Sequence, residues 1–216
     1  MHKIISFNFL SCGLVSILIS GCIVKNQKQT IISVSKDNPI IEALYEKDIQ
    51  IRELDAKTDT VNLEEYDKKH REQIFQLLAE NKVITAKDKY RAALILQHTA
   101  AKFCDGELTS ISPENFLLAY KLSSTALSMF EYVKDSTTLK KGHIQRMVAL
   151  NYDRYLLYSY GYQKFGTQFV FDDKTEEMLL APIDTTLASD AERAKYYVEP
   201  IHTLLKKHRM KPMPNR

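Results

Sequence analysis

Apolar residues recur every three to four positions along most of the chain, and this spacing predicts amphipathic helices. The first helix begins near Pro39, after the capping stretch Ser35-Lys36-Asp37-Asn38, and extends to about Ala56. Ser189 and Glu192 form a capping box for the last helix, which Pro200 should kink or break. The predicted helices cover residues 39–56, 63–79, 88–103, 113–132, 139–160 and 190–208.

The period changes after Gly161, which is well placed to end the fifth helix. Residues 167–171 and 177–180 have the composition of strands, and residues 172–175 supply a turn, so this region predicts a β-hairpin. The predicted fold class is mostly α: about five to six packed helices, as a helical-hairpin array or a bundle, with a small C-terminal β-hairpin. No clear repeat of about 34 residues marks a regular array.

The N-terminus has the features of a lipoprotein precursor. Met1-His2-Lys3 is basic, and residues 4–19 are mostly apolar but too short and too interrupted to span a membrane comfortably. Ile19-Ser20-Gly21-Cys22 resembles the lipobox of bacterial lipoproteins. We expect residues 1–21 to be a signal peptide and residues 22–36 to be a lipidated cysteine followed by a polar tether.

Lipid on Cys22 would bind the protein to a membrane, since each buried methylene contributes about 0.8 kcal/mol. No acidic residue follows Cys22, so in a two-membrane organism we expect the outer membrane of the cell envelope, facing the periplasm. Residues 37–210 then form a single mostly helical domain, and residues 211–216 form a basic tail. The expected partners are the membrane and either an envelope protein or a small polar ligand.

Charge and cysteine content argue against two classes of function. The chain carries 30 Lys and Arg against 27 Asp and Glu, a net charge of +3, and the two signs are interspersed, which argues against a nucleic-acid surface. Of three cysteines, Cys12 leaves with the signal and Cys22 is lipidated, so the mature monomer cannot form an internal disulfide. Cys104 continues the helical spacing of Ala93, Leu96 and Ala100, which favours a core residue over a catalytic thiol.

The sequence has no H-E-x-x-H, paired C-x-x-C or G-x-S-x-G motif, and we predict neither a metal nor a cofactor. Polar residues within apolar stretches stand out instead. Gln97 and His98 interrupt a run suited to burial, where polar groups need hydrogen-bond partners. Asp48 shares a helix face with apolar residues, and Arg52, four residues on, could pair with it.

The segment from Asp153 to Gln168 resembles the D-R-[YW]-L and G-x-x-Q-x-[FY]-G-T-Q signature of an uncharacterised, mostly bacterial domain family. The resemblance extends over about residues 40–185. It includes a helix that ends in Gln-His and the stretch from Asp48 to Arg52, which is similar to a D-Q-x-R element of the family. The Gly-Trp-Pro turn of many members is missing here. The family has no established activity, so the resemblance implies positions rather than a mechanism. Beyond the Asp48–Arg52 stretch, the matching residues are Gln97, His98, Asp153, Arg154, Tyr155, Leu156, Gly161, Gln163, Phe165, Gly166, Thr167 and Gln168.

These polar residues should converge in space. Asp153 and Arg154 point about 100° apart on their helix, so they serve different neighbours. The converging group is either a structural clasp between the helices and the hairpin or a ligand site, and Gly166 permits a close backbone approach in both cases. Tyrosines at 152, 155, 158 and 162 form a stripe more typical of a packing face than of a sugar platform. The candidate residues are Asp48, Gln50, Arg52, Gln97, His98, Asp153, Arg154, Gln163, Gly166, Thr167 and Gln168.

Two functions remain open at this point. The first is a lipid-anchored envelope protein that acts as a binding or structural module, with a polar site around His98 and the 161–168 segment. The alternative is a hydrolase-like enzyme in which His98 acts as general acid or base and Arg154 holds an anionic substrate group, with Asp153 as a further catalytic candidate. The packing around His98 distinguishes the two functions: an enzyme requires His98 to be reachable by solvent, whereas a sealed His98 favours the binding or structural module.

Overall fold

Eight helices and two β-hairpins make up the part of the chain that the structure describes. This computed structural model describes residues 35–58, 60–98 and 112–213, together with the backbone of residues 102–104 and 107–109. The predicted signal peptide, Cys22 and nearly all of the tether lie outside the described residues, as does the end of the basic tail. The helices are α1 Pro39–Thr58, α2 Leu63–Ala79, α3 Ala86–Gln97, α4 Pro113–Tyr132, α5 Ser136–Lys140, α6 His143–Tyr160, α7 Asp190–Lys195 and α8 Ile201–Lys207, and the strands are β1 Lys102–Cys104, β2 Glu107–Thr109, β3 Phe169–Asp172 and β4 Glu177–Leu180.

Local sequence signals account for several of the helix ends. Thr85 and Asp88 form a capping box at the start of α3, where each side chain accepts a hydrogen bond from the other residue's backbone N–H. The Asn62 side chain caps α2 by accepting from the Glu65 N–H at 3.3 Å. Helix α6 ends at Gly161, as predicted, because its φ of 78° is left-handed and glycine adopts it without a steric penalty.

The hydrophobic core lies where α3 packs against α1, α2 and α4, and where α4 packs against α6. Residues from all of these helices form its largest cluster, so α3 packs against neighbours on several sides. The buried members of this cluster are Ile41, Ile74, Leu77, Val83, Ala92, Ala93, Ile95, Leu96, Ala119, Leu122 and Met147.

The predicted fold class, mostly helical with a C-terminal hairpin, is confirmed, but two predicted helices are divided. Gly142 has a φ of 69° and separates α5 from α6 within the predicted 139–160 helix. Tyr197, with a φ of 54°, and Pro200, the N-cap of α8, separate α7 from α8 within the last predicted helix. A left-handed residue or a proline interrupts the backbone hydrogen bonds of a helix, so the number of helices rises to eight.

The predicted third helix is too long. It ends at Gln97 with His98 as its C-cap, and the chain continues into an antiparallel hairpin in which Phe103 of β1 lies opposite Leu108 of β2. Cys104, which continues the helical spacing of Ala93, Leu96 and Ala100 just beyond the predicted helix, is on a strand, and its side chain lies outside the described residues. The apolar spacing alone could not distinguish a helix from a strand over such a short stretch.

The second hairpin fastens the segment that follows α6. Strands β3 and β4 pair antiparallel, with Phe169 opposite Leu180. Beyond β4, the Pro182 carbonyl accepts from the Gln163 N–H at 2.8 Å. On the edge of β4 that faces away from β3, the Leu180 N–H donates to the Arg209 carbonyl at 2.8 Å. The residues between Gly161 and Gln168 are thus held between α6 and the strand edge.

Candidate functional site

Asp153 lies at the centre of the first polar group, which we call the turn clasp: Asp153, Gln163, Thr167 and Gln168. The Asp153 carboxylate is fully buried and accepts four hydrogen bonds. Oδ1 accepts from the backbone N–H groups of Lys164 at 2.8 Å and Phe165 at 2.7 Å. Oδ2 accepts from the Thr167 N–H at 2.9 Å and the Thr167 hydroxyl at 2.8 Å. Burial raises the pKa of Asp153, and these hydrogen bonds oppose that rise.

Gln163 completes the turn clasp and is also fully buried. Its Nε2 donates to the carbonyls of Gln168 and Ala181, each at 2.9 Å, and its Oε1 accepts from the Gln168 N–H at 2.8 Å. The side-chain amide therefore hydrogen-bonds to the backbone at Gln168 and at Ala181, as a neighbouring strand would. With its polar atoms engaged in this way, Gln163 fixes the turn to the region after β4 and offers nothing to a ligand.

The second group, which we call the Arg52 cluster, consists of Asp48 and Arg52 on α1, Asp67 on α2 and His98 at the end of α3. Arg52 Nη2 donates to Asp67 Oδ1 at 2.5 Å, and Asp48 Oδ2 lies 3.5 Å from Arg52 Nε. His98 Nδ1 lies 2.8 Å from Asp48 Oδ2 and 2.9 Å from Arg52 Nε. A protonated Nδ1 would donate to Asp48, whereas a bare Nδ1 accepts from Arg52.

Asp48 is kept ionised in this cluster. Burial alone would raise the pKa of Asp48, but the contact with His98 and the charge of Arg52 outweigh burial and bring it below its ordinary value. Burial raises the pKa of Asp67, against the opposing charge of Arg52. Because Asp48 and Arg52 are four residues apart on α1, the helix itself presents them side by side.

Asp67 and the neighbouring His70 were not predicted from the sequence. Both are buried on α2, and they occupy the same helix face as buried Ile74 and Leu77. Burial lowers the pKa of His70, whose ring packs edge-on against Tyr66 at 4.9 Å between centroids. Polar residues at three- and four-residue spacing with Ile74 were the available signal, the same one that identified Asp48.

Arg154 connects the two groups. Its Nε donates to Gln168 Oε1 at 3.1 Å, and its Nη1 donates to the backbone carbonyl of Gln97. The guanidinium also lies over the Phe116 ring, 5.8 Å from its centroid. Burial lowers the pKa of Arg154, and the nearby positive charge of Arg52 adds to that effect. Among the described residues, no carboxylate forms an ion pair with this half-buried cation.

The structure thus divides the candidates predicted from the sequence. Arg154 brings the end of α3 and Gln168 together, although Gln97 contributes its backbone carbonyl rather than its amide. Asp153, Gln163 and Thr167 hold the turn, and Gly166 lies within it. Gln50 is exposed on α1 and takes no part in these contacts.

Neither a metal centre nor a membrane span is found within the described ranges. They contain no group of three or more His, Cys, Asp or Glu residues arranged to hold a metal ion. No helix among these residues is both long enough and apolar enough to cross a membrane. Comparison with family models, with curated proteins and with solved structures gives no match to the chain.

Proposed function

We propose that this is a lipid-anchored envelope protein whose helical domain binds a small anionic ligand at Arg154, beside the Arg52 cluster. The observation that carries the proposal is the half-buried Arg154 guanidinium, whose hydrogen bonds within the described part of the chain go to uncharged groups. A cation removed from water is unfavourable unless an opposite charge compensates it. A carboxylate or phosphate group on a ligand would supply that charge and match the planar donors of arginine.

The exposure of the side chains in the Arg52 cluster also supports a negatively charged ligand. The side chains of Arg52 and His98 are 29% and 20% exposed, whereas those of Asp48 and Asp67 are 3% and 7% exposed. The acids therefore lie beneath the bases and hold them in place. A ligand that arrives from solvent meets two guanidinium groups and an imidazole, with the carboxylates behind them.

The turn clasp has a supporting role in this proposal. Gln168 receives a hydrogen bond from Arg154, and its own amide donates to the Thr167 hydroxyl at 3.0 Å. Asp153 in turn holds that hydroxyl. The orientation of the Arg154 guanidinium is thus set by a buried network, which is how binding sites reduce the entropy lost when a ligand is bound.

Inorganic phosphate and succinate are suitable probes, titrated into the full chain by calorimetry and in thermal melts. We expect Arg154→Met to weaken binding of the anion at least about tenfold, because a charge-assisted pair of hydrogen bonds is lost. Arg146→Met is the matched control, since Arg146 is an exposed arginine on the same helix. It should bind the anion as the wild type does.

The stability of the Arg154→Met variant tests the other explanation, a purely structural arginine. If the site exists for a ligand, the free energy of unfolding should change by less than about 1 kcal/mol, because removal of an uncompensated charge offsets the hydrogen bonds lost to Gln97 and Gln168. A loss of more than about 3 kcal/mol, or an absence of binding by either anion to the wild type, would show that the proposal is wrong.

A hydrolase is the second candidate, favoured by the 2.8 Å contact between Asp48 Oδ2 and His98 Nδ1. A buried carboxylate that orients one imidazole nitrogen leaves the other available as general acid or base. Asp153 is unsuited to such a role because both of its oxygens already accept hydrogen bonds. Hydrolysis of p-nitrophenyl phosphate or acetate that His98→Gln abolishes, with anion binding retained, would support the enzyme.

The lipid anchor is tested separately. We expect Cys22→Ala to leave an uncleaved or soluble precursor and to abolish labelling with radioactive palmitate, because the thioether attachment site is gone. Cell fractionation with the wild type as control measures this directly. A variant that still incorporates palmitate and sediments with membranes would contradict the lipoprotein assignment without affecting the ligand site.

A further inference from the structure

A groove on the surface of the domain, away from the contacts described so far, has the composition of a ligand site. It lies between α4, α6 and the end of α7, and its volume is about 610 Å³. Pockets that bind small molecules have volumes of this order. Two rings, Tyr120 and Tyr196, form part of its walls, and Ser124, Ser128, Glu131 and Gln145 supply polar groups.

Two buried polar atoms in the lining of this groove have no hydrogen-bond partner within the described part of the chain. They are Gln145 Oε1 and Ser124 Oγ. Gln145 is only 8% exposed, and its Nε2 already donates to the Leu139 carbonyl at 3.0 Å, which orients the amide. Buried polar atoms are rarely left unsatisfied, so both atoms require hydrogen-bond partners that the described residues do not provide.

Backbone strain occurs at the same place. Tyr197, which lines the groove, has a φ of 54° at the position after the α7 C-cap, where glycine is the usual residue. A bulky side chain in this conformation is unfavourable and indicates a role for the side chain itself. The Tyr197 ring packs onto Gly142, where an added Cβ would lie 2.7 Å from the ring. The chain thus keeps a strained tyrosine at the wall of the groove.

Further tyrosines continue from the groove along α6, in the stripe whose sequence spacing is more typical of a packing face. The Tyr120 and Tyr152 ring centroids are 4.6 Å apart. The Tyr155 ring lies 6.3 Å from Tyr152 and 6.1 Å from Tyr160, centroid to centroid. Tyr160 is 55% exposed. Aromatic faces that combine an apolar surface with a hydroxyl group suit ligands that are apolar on one side and rich in hydroxyls on the other.

We propose that the groove and this row of tyrosines bind a neutral, linear oligosaccharide, independently of the anion site. Sugar hydroxyls both donate and accept, so they can satisfy Gln145 Oε1 and the serine hydroxyls together. Glu131 and Lys195 place one charge of each sign at the groove, which favours an uncharged ligand. The continuing row of rings favours a chain of sugars over a single ring.

Chitotetraose and cellotetraose, titrated into the full chain by calorimetry, are the probes. We expect at least one of them to bind, and Ser124→Ala to weaken its affinity about fivefold, the value of one hydrogen bond. Tyr197→Gly should weaken it about tenfold through loss of the ring. Neither variant should lower the melting temperature. Ser124→Ala removes a hydroxyl that has no partner among the described residues. In Tyr197→Gly, relief of the strained backbone offsets the lost contact between the ring and Gly142.

Two controls match these variants. Thr125→Ala removes a hydroxyl from the neighbouring exposed position of α4, and Asn81→Gly relieves another left-handed residue, with a φ of 54°, beyond the end of α2. Both controls should bind the oligosaccharide as the wild type does. No binding of either tetrasaccharide up to about 10 mM, or equal affinity for wild type, Ser124→Ala and Tyr197→Gly, would overturn the proposal.

Discussion

Asp153→Asn should lower the free energy of unfolding by about 3 to 5 kcal/mol, the largest loss we expect from any single polar substitution in this domain. The carboxylate accepts hydrogen bonds at both oxygens, from Lys164 and Phe165 on one side and from Thr167 on the other. Asparagine has one acceptor oxygen, so its NH₂ group must face donors, whichever way the amide is turned. The site is sealed from solvent, and water cannot supply the missing acceptors.

Urea denaturation followed by circular dichroism measures this loss, with the slope against urea checked for a change in the extent of unfolding. Asp173→Asn, at an exposed position in the turn of the β3–β4 hairpin, is the control and should alter stability by less than about 0.5 kcal/mol. If both variants were as stable as the wild type, Asp153 would not be what holds the turn after α6.

Gly166→Ala should lower the free energy of unfolding by about 3 kcal/mol. The φ of 77° at Gly166 is unfavourable for alanine. The added Cβ would also lie 2.5 Å from Leu204 Cδ2 and 2.8 Å from Ile183 Cδ1, both in buried side chains. Overpacking of this kind adds to the backbone term, because neither neighbour can move without disturbing the cluster formed by β4 and α8.

Gly161→Ala separates the two contributions. Gly161 has nearly the same φ, 78°, but it ends α6 and is only partly buried. We expect Gly161→Ala to lower the free energy of unfolding by about 1 kcal/mol, because alanine is unfavourable in the left-handed conformation. Equal losses for Gly161→Ala and Gly166→Ala, measured by the same urea denaturation, would mean that the close approach to Leu204 and Ile183 has no energetic importance.

Much of the fold could be predicted from the sequence because the signals are local. The capping residues before α3, the glycine after α6 and the turn between β3 and β4 act within a few residues of one another. The prediction was wrong where a local period could be extended too far. Residues 99–103 continue the apolar spacing of α3, yet the chain leaves the helix at His98 and forms a hairpin.

The candidate site, too, could be predicted only in part from local spacing. Spacing along α1 indicated that Asp48 and Arg52 could pair, but nothing in it revealed that Asp67 lies against the same guanidinium. Asp67 comes from a different helix, and partners between helices depend on how the helices pack. Gln145 Oε1, which has no hydrogen-bond partner among the described residues, could likewise be recognised only after packing, since every amide is satisfied by water in an unfolded chain.

By itself, the sequence determined which residues had to find partners: polar side chains on apolar helix faces are costly to bury alone, so Gln97, His98 and the Asp153-Arg154 pair were identifiable. Only the tertiary structure decided what each partner is. Asp153 accepts hydrogen bonds from the backbone of the following segment and is structural. Arg154, one residue on, donates to the end of α3 and has no carboxylate partner among the residues that the structure describes. The physical reason is the 100° rotation between neighbouring helical residues, which sends two adjacent side chains into different environments that only the packed fold defines.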